Sequence, residues 1–285
     1  MKILITGSNG QLGSEIKALA EGYTHFEFLY TDVNELNITD EASVTHYFAL
    51  HSPDVVINCA AYTAVDKAET EKENSFLINT EAVGNLAEVC KEFDVQLIHL
   101  STDYVFDGTA SEPYTETDKT SPVNLYGGSK LKGEELALQN NPSTIIIRTS
   151  WLYSSFKNNF VKTMLRLMKE KDSISVVNDQ FGCPTYAADL ALAIMRIIKS
   201  GQSKINPGIY NYTNNGITTW YEFAVAIKNI TGSNCTVNPI STAQYPTAAK
   251  RPGYSVLDTT KIKETFSIPI PSWEDSLEQC LTLLK

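Results

Sequence analysis

Tyr126-Gly127-Gly128-Ser129-Lys130 sets a phenol and an ammonium four residues apart. On a helix that spacing puts both on one face. A cation near a phenol stabilises the phenolate and lowers its pKa. Such a tyrosine can give a proton to a carbonyl oxygen as hydride arrives at the carbon, or take one in the reverse direction. The spacing recurs at Tyr153…Lys157, so position must separate the two pairs. Tyr126 comes 24 residues after Thr102, in the triplet Ser101-Thr102-Asp103 that closes an apolar run. Thr102 is suited to hydrogen-bond the reacting carbonyl oxygen and steady a developing alkoxide. Tyr153 lacks such a segment: its counterpart would be Ser129, inside a helix. Tyr153 therefore reads as a packing or cleft-wall aromatic.

A second constellation lies at the N-terminus. Thr6-Gly7-Ser8-Asn9-Gly10-Gln11-Leu12-Gly13 places three glycines between an apolar run and a helical pattern. Gly7 suits a tight turn, Gly10 lets backbone approach a pyrophosphate, and Gly13 lets helix and strand pack closely. The N–H groups from Ser8 to Leu12 then face an anion at the positive end of a helix. Asp32 follows Gly13 by nineteen residues, where a carboxylate can take both hydroxyls of an adenosine ribose. The cofactor expected is NADPH or NADH. No Lys or Arg lies between Lys17 and Ile38 to meet a 2′-phosphate, which leans locally towards NADH.

These groups need elements to hold them. Short, β-branched runs at Lys2–Thr6, Phe26–Thr31, Asp54–Cys59, Val95–Leu100 and Thr144–Thr149 alternate with helical patterns at Gln11–Ala20, Glu41–His51, Asn74–Phe93 and Tyr126–Gln139. The rhythm predicts an α/β fold, a doubly wound parallel sheet of Rossmann type. After Arg148 it loosens. A helix carrying Phe156, Phe160, Met164 and Met168 leads to a short strand at Ile174–Val177. A helix at Ala187–Lys199 and a strand at Ile209–Tyr212 follow, then helices near Trp220–Ile230 and Trp273–Leu284. The expected division is a dinucleotide-binding domain of 1–152 plus about 174–213, with a smaller interleaved substrate domain of about 153–173 plus 214–285.

The 285 residues are 42% hydrophobic and 20% charged, enough apolar material for a packed core. A net charge of −10 argues against a nucleic-acid partner met through a basic surface. No run approaches a bilayer span and no leader pattern opens the chain, so no membrane partner and a cytoplasmic location are expected. Cys59, Cys90, Cys183, Cys235 and Cys280 stand apart and read as small buried residues.

Longer stretches carry a resemblance. The glycine loop, Thr102 and Tyr126…Lys130 together resemble the extended short-chain dehydrogenase/reductase superfamily. Asn58–Glu69, Ser101–Gly108, Arg148–Tyr153, Asp179–Thr185 and Arg251-Pro252 narrow the match to its dTDP-4-dehydrorhamnose reductase branch. The resemblance implies NAD(P)H-dependent reduction of the 4-keto group of a nucleotide-sugar, the last step of dTDP-rhamnose synthesis. It implies Thr102, Tyr126 and Lys130 as catalytic residues, Lys130 also holding the nicotinamide ribose. Ala60, Ala61 and Tyr62 would run along the cofactor. Asn37-Ile38 stand where the family usually has Asp-Ile, on the adenine side. Asp103 and Tyr104 would line the sugar site, Trp151 its apolar wall, and Asn79 would hold the nearby loops. For the diphosphate, Arg251 is the best placed of four arginines, with Asn178, Gln180 and Trp220 as lesser pocket candidates. The branch also raises a homodimer with magnesium at its interface. Glu15 matches one acidic position but Ala188 stands at another, so no metal is expected.

Two other readings use the same fold. An epimerase or dehydratase would keep and regenerate its cofactor, but dehydratases generally place an acidic pair after the Ser/Thr, and here Asp103-Tyr104 follow. A non-catalytic, cofactor-binding regulatory subunit need not retain Thr102, Tyr126 and Lys130, all of which are present.

Overall fold

A computed structural model of the chain describes residues 1–284. Strands β1 (Lys2–Thr6), β2 (Glu27–Tyr30), β3 (Val55–Asn58), β4 (Gln96–Thr102), β5 (Ile145–Thr149) and β6 (Gly208–Asn211) form one sheet in the order β6-β5-β4-β3-β1-β2. All five pairings are parallel. A parallel sheet is covered on both faces, which is why runs such as Val55-Val56-Ile57 and Ile145-Ile146-Ile147 are apolar without alternation and wholly buried.

Helices α1 (Gln11–Leu19), α2 (Glu41–His51), α3 (Ala82–Glu92), α4 (Leu125–Asn140) and α5 (Ala187–Lys199) make the crossovers. One core joins Ile3, Ile5, Ile57 and Ile147 to Ile16 of α1 and Ile194 and Ile198 of α5. The other joins Leu4, Val56, Leu97 and Ile146 to Phe48 of α2 and Leu86 of α3. The chain leaves β1 and β3 in opposite directions, so their carboxyl ends open a crevice where such sheets take ligands.

A separate core gathers Tyr153, Val161, Met164, Met168, Phe223, Ile227, Trp273 and Leu277. The expected domain boundaries need correcting here. Ser173–Val177 pairs in parallel with Thr236–Ile240, outside the main sheet, and buries Ile174 and Val176 in this second core. A five-residue strand with a free edge takes whichever partner its apolar face can share, and the unforeseen Thr236–Ile240 supplies it. Conversely Ile262, Phe266 and Ile268 pack on the first core, although they lie in the stretch given to the substrate domain. Phe156 precedes its expected helix, which begins at Phe160 after Asn159 caps the Lys162 N–H. The Asn74–Phe93 pattern is also interrupted: Leu77–Glu81 forms one turn of π-helix between Lys72–Phe76 and α3.

All five cysteines are free, and four are buried. Among the described residues no helix is long and apolar enough to cross a membrane. Nor is there among them a group of three or more His, Cys, Asp or Glu placed to hold a metal ion.

Candidate active site

The glycine loop is built by steric exclusion. Gly7 lies at φ +60°, and a Cβ there would meet Ala60 backbone at 2.7 Å. At Gly13 a Cβ would stand 2.6 Å from Ser8 Cα, so α1 packs onto the loop only without it. Gly10 is the N-cap of α1, and no side chain takes the first-turn N–H groups. Such donors point out of the helix end and want an anion. The loop opens on a cleft of about 840 Å³ lined by Gly7, Gly10, Gln11, Leu12, Asp32, Asn37, Ile38, Ala60 and Ala61. The cradle therefore fits a dinucleotide, and Asp32 lines the same cleft. Asp32 Oδ2 accepts the Asn9 N–H at 3.2 Å and Oδ1 the Val33 N–H at 2.8 Å, which fixes the carboxylate.

Three expected cofactor residues sit differently. Ser8 is buried behind the turn, and neither it nor Asn9 lines the cleft. Tyr62 is directed away, its hydroxyl donating to Glu71 at 2.9 Å. Its backbone matters instead: Asn79 Oδ1 accepts the Tyr62 N–H at 2.9 Å while Asn79 Nδ2 donates to the Tyr62 carbonyl at 3.0 Å. Nδ2 also reaches Ser129 Oγ at 3.0 Å. Asn79 thus clamps the loop after β3 to α4. Gln11 turns its side chain to the opposite wall, bonding the Leu152 carbonyl at 3.3 Å and Asn159 at 3.0 Å.

The cleft continues to Thr102, Asp103, Tyr104, Tyr126 and Lys130. Asn124 caps α4 by accepting the Gly127 N–H at 2.8 Å, so Tyr126 stands in the first turn facing the end of β4. Thr102 Oγ1 donates to Asp103 Oδ1 at 2.9 Å and accepts the Tyr104 N–H at 3.2 Å. Burial raises the Tyr126 phenol to about 12, opposed by a hydrogen bond with Thr102. Burial also raises the Asp103 carboxyl to about 7 and lowers Lys130 to about 8.

The expectation that Lys130 lowers the Tyr126 pKa is not met. The lysine side chain runs deeper than the phenol, and Nζ donates to the Leu100 carbonyl at 2.6 Å and lies 3.4 Å from His99 Nε2. A shared helix face puts both residues on the cleft side, and the Lys130 amine is taken up by the backbone of β4.

The opposite wall is Trp151, at φ 48°, stacked on Trp220 with centroids 3.6 Å apart. A Cβ on Gly182 would lie 2.6 Å from the Trp151 ring, so the indole occupies space that glycine leaves. Tyr153, the rival phenol, is fully buried in the second core, and its hydroxyl has no partner.

Arg251 is not among the cleft-lining residues. Its guanidinium grips Asp66 at 2.6 and 2.7 Å and the Ala249 carbonyl at 2.7 Å. The fork geometry that recommends arginine for phosphate also suits a carboxylate, and Asp66 has it. Asn178 and Gln180 bond Thr219 and Thr242, away from the cleft, while Trp220 does line it. Arg148 is bound at 2.6 Å by Glu134 in the interior. Glu15 is buried and accepts the Ser154 hydroxyl at 2.6 Å.

Ser101, Cys59, Lys157 and Asn158 also line the cleft. The Ser101 hydroxyl and Asp103 Oδ2 are buried without hydrogen-bond partners, a cost that the folded chain carries at this site. Ser101 was readable from its place beside Thr102. Lys157 enters through a left-handed turn at φ 55°, which no local signal marked.

The profile of the RmlD substrate binding domain family matches residues 1–285. A dTDP-4-dehydrorhamnose reductase of Aggregatibacter actinomycetemcomitans is 42% identical over 97% of each chain. A crystal structure of a dTDP-4-dehydrorhamnose reductase from Clostridium acetobutylicum superposes with a TM-score of 0.95 at 44% identity, covering 100% of this chain and 99% of the other. That of a dTDP-4-dehydrorhamnose reductase from Bacillus anthracis, in complex with NADP, gives a TM-score of 0.94 at 38% identity, covering 99% and 98%.

Proposed function

The chain belongs to the RmlD substrate binding domain family, and from that membership and the cleft we infer that it reduces dTDP-4-dehydro-L-rhamnose to dTDP-L-rhamnose. The observation that carries this reading is continuity: the glycine-loop cradle and the Thr102–Tyr126 pair line one cleft. Bound NADPH or NADH supplies the hydride taken by the keto carbon. The residues of the chain do the rest. The start of α1 holds the pyrophosphate on the free N–H groups of Gln11 and Leu12, and Asp32 takes a ribose edge. Ala60 and Ala61 allow the close approach that larger side chains would block. Lys130 reaches the nicotinamide ribose from the floor of the cleft.

Tyr126 gives its phenolic proton to the carbonyl oxygen of the substrate as that oxygen gains charge. A phenol held near 12 stays protonated throughout the neutral range, the state reduction requires. Thr102 orients the same oxygen, Asp103 and Tyr104 flank the sugar, and Trp151 with Trp220 covers its apolar edge. Of the two cations that line the cleft, Lys130 is held inside by the Leu100 carbonyl and Lys157 is exposed, so the diphosphate falls to Lys157, while Arg251 braces the rim through Asp66. The two-part division of the chain, a cofactor-binding sheet and a substrate-covering second core, belongs to the same reading.

Purified protein mixed with dTDP-4-dehydro-L-rhamnose and each reduced nicotinamide tests it. Stoichiometric loss of reduced-nicotinamide absorbance is expected, and catalytic turnover with no net loss would replace reduction by epimerisation or dehydration. Tyr126→Phe should lower kcat by about 10²–10⁴-fold with cofactor affinity nearly unchanged. A near-normal rate would remove Tyr126 as the acid.

A further inference from the structure

A circuit of contacts closes around the start of α4. It begins at the short helical turn Val65–Ala68, which ends the loop carrying the cleft-lining Ala60, Ala61 and Thr63. Glu69 follows that turn, and its Oε1 accepts the N–H of Leu125, the first residue of α4, at 2.9 Å. The cap residue Asn124 accepts the Gly127 N–H through Oδ1 and donates through Nδ2 to the Lys250 carbonyl, both at 2.8 Å. The neighbours of Lys250 return to the turn. The Ala249 N–H donates to Asp66 Oδ1 at 3.0 Å, and Arg251 grips the same carboxylate with both terminal nitrogens. Two of the first-turn donors of α4, which a helix start leaves in need of acceptors, are thus met by the two arms that Asp66 joins.

We propose that Asp66 and Arg251 are positioning residues for the reduction: their ion pair, acting through Glu69 and Lys250, holds the first turn of α4 where it aims the Tyr126 phenol at the substrate carbonyl. The proposal rests on the reading of Tyr126 as the proton donor. That turn is tightly fitted. A Cβ on Gly127 would collide with the Tyr104 carbonyl, and the Tyr104 and Tyr126 rings meet edge to face with centroids 5.9 Å apart. A turn released from its circuit carries the phenol with it, and a displacement of about 1 Å at a reacting group costs about 10²-fold in rate.

An ion pair at a protein surface ordinarily contributes little, and the Asp66 side chain is 47% exposed. Two features set this pair apart. Arg251 is only 18% exposed and meets the carboxylate fork to fork, the geometry in which such pairs are strong and directional. The carboxylate also takes a backbone N–H of the loop that bears Arg251, so the pair fixes main chain as well as side chains. The hydrogen bond from Arg251 holds the Asp66 carboxyl below its ordinary range, and the pair stays charged at neutral pH.

Hydrogen exchange on the full chain tests the circuit without turnover. In Asp66→Asn and Arg251→Gln the Leu125 and Gly127 amides should exchange about tenfold faster, while amides in the second half of α4 keep their rates. Unchanged exchange, or equal acceleration along the whole helix, would overturn the proposal. Steady-state rates, taken below the melting temperature of each variant, separate aim from stability. In both variants kcat should fall about tenfold, with KM for the keto-sugar and the reduced nicotinamide moved by less than about twofold, because Tyr126 acts on the reacting carbonyl alone. The double variant should be no slower than either single, since each breaks the same link. Arg251→Lys, which keeps the charge and one bond, should recover part of the loss. A normal kcat in the folded variants, or losses that multiply in the double, would sink the idea. A raised KM with kcat kept would do so too, by giving Arg251 to the substrate. Should Asp66→Asn fail to fold, the two Arg251 variants carry the same tests. Failure of the unaltered chain to reduce the keto-sugar would strike the proposed function, and the exchange rates would still decide whether the circuit holds the turn.

Discussion

With the Thr102 hydroxyl given to Asp103, the state of that carboxyl decides what the threonine can offer a substrate oxygen. A charged Asp103 holds the Thr102 proton, whereas a neutral one leaves the threonine free to donate to a substrate oxygen. The same carboxyl links the site to stability. Its folded pKa, about 7, exceeds the ordinary 3.8 because burial disfavours the charge. Below 3.8 the group is neutral in both states and costs nothing. As pH rises through 7 the folded protein must either keep the proton or bury a charge, so stability falls, by up to about 4 kcal/mol from this one group. Asp103→Asn should therefore stabilise the protein more at pH 8 than at pH 5, in thermal or urea unfolding followed at both. An equal effect at the two pH values would show that Asp103 is ionised as in water. Thr102, Tyr126 and Lys130 were legible as cleft residues from their place at a strand end and on the helix that follows, since the Tyr…Lys spacing alone recurs at Tyr153…Lys157. The partners that set their states, Leu100 O, His99 and the neighbouring carboxyl, were not, since these are contacts across strands.

At the level of elements, the strands of the first half and α1, α2 and α4 fall within a residue or two of their sequence patterns. Glycines, caps and β-branched runs are local and speak for themselves. The π-turn at Leu77–Glu81 was not legible, because its cause is tertiary. Asn79 must face both the Tyr62 backbone and Ser129 on α4, and the widened turn aims it there. The clamp makes a two-part prediction. Asn79→Ala leaves the Tyr62 N–H and carbonyl without their partner and should destabilise by about 1–3 kcal/mol. It should also raise the Kd for NADPH, because the loop bearing Ala60 and Ala61 loses its tether. Calorimetric unfolding and fluorescence titration read the two effects separately. Lost stability with unaltered cofactor affinity would confine Asn79 to a structural part.

The cleft as a whole exists because two cores meet over it. The sheet supplies the glycine loop and the β4 end, while the second core supplies Trp220 and, through Gly182, the room for Trp151. Sequence order hid this arrangement: residues 151, 182 and 220 are far apart in the chain and meet only in the folded wall. Trp151 cannot recede from an intruding atom, since Trp220 is stacked on its other face at 3.6 Å and Phe160 stands 4.6 Å beyond Trp220. One added methyl is therefore a test of the wall. In Gly182→Ala the new Cβ, 2.6 Å from the ring, must push the indole towards the substrate. Overpacking of this kind costs about 1–3 kcal/mol. Displacing a cleft wall by part of an ångström should raise the substrate KM about tenfold. The dinucleotide cradle, built on the other core, should keep its NADPH affinity. If cofactor and substrate weakened together, the cleft would be a single cooperative unit; if neither changed, Trp151 would stand outside the substrate's reach.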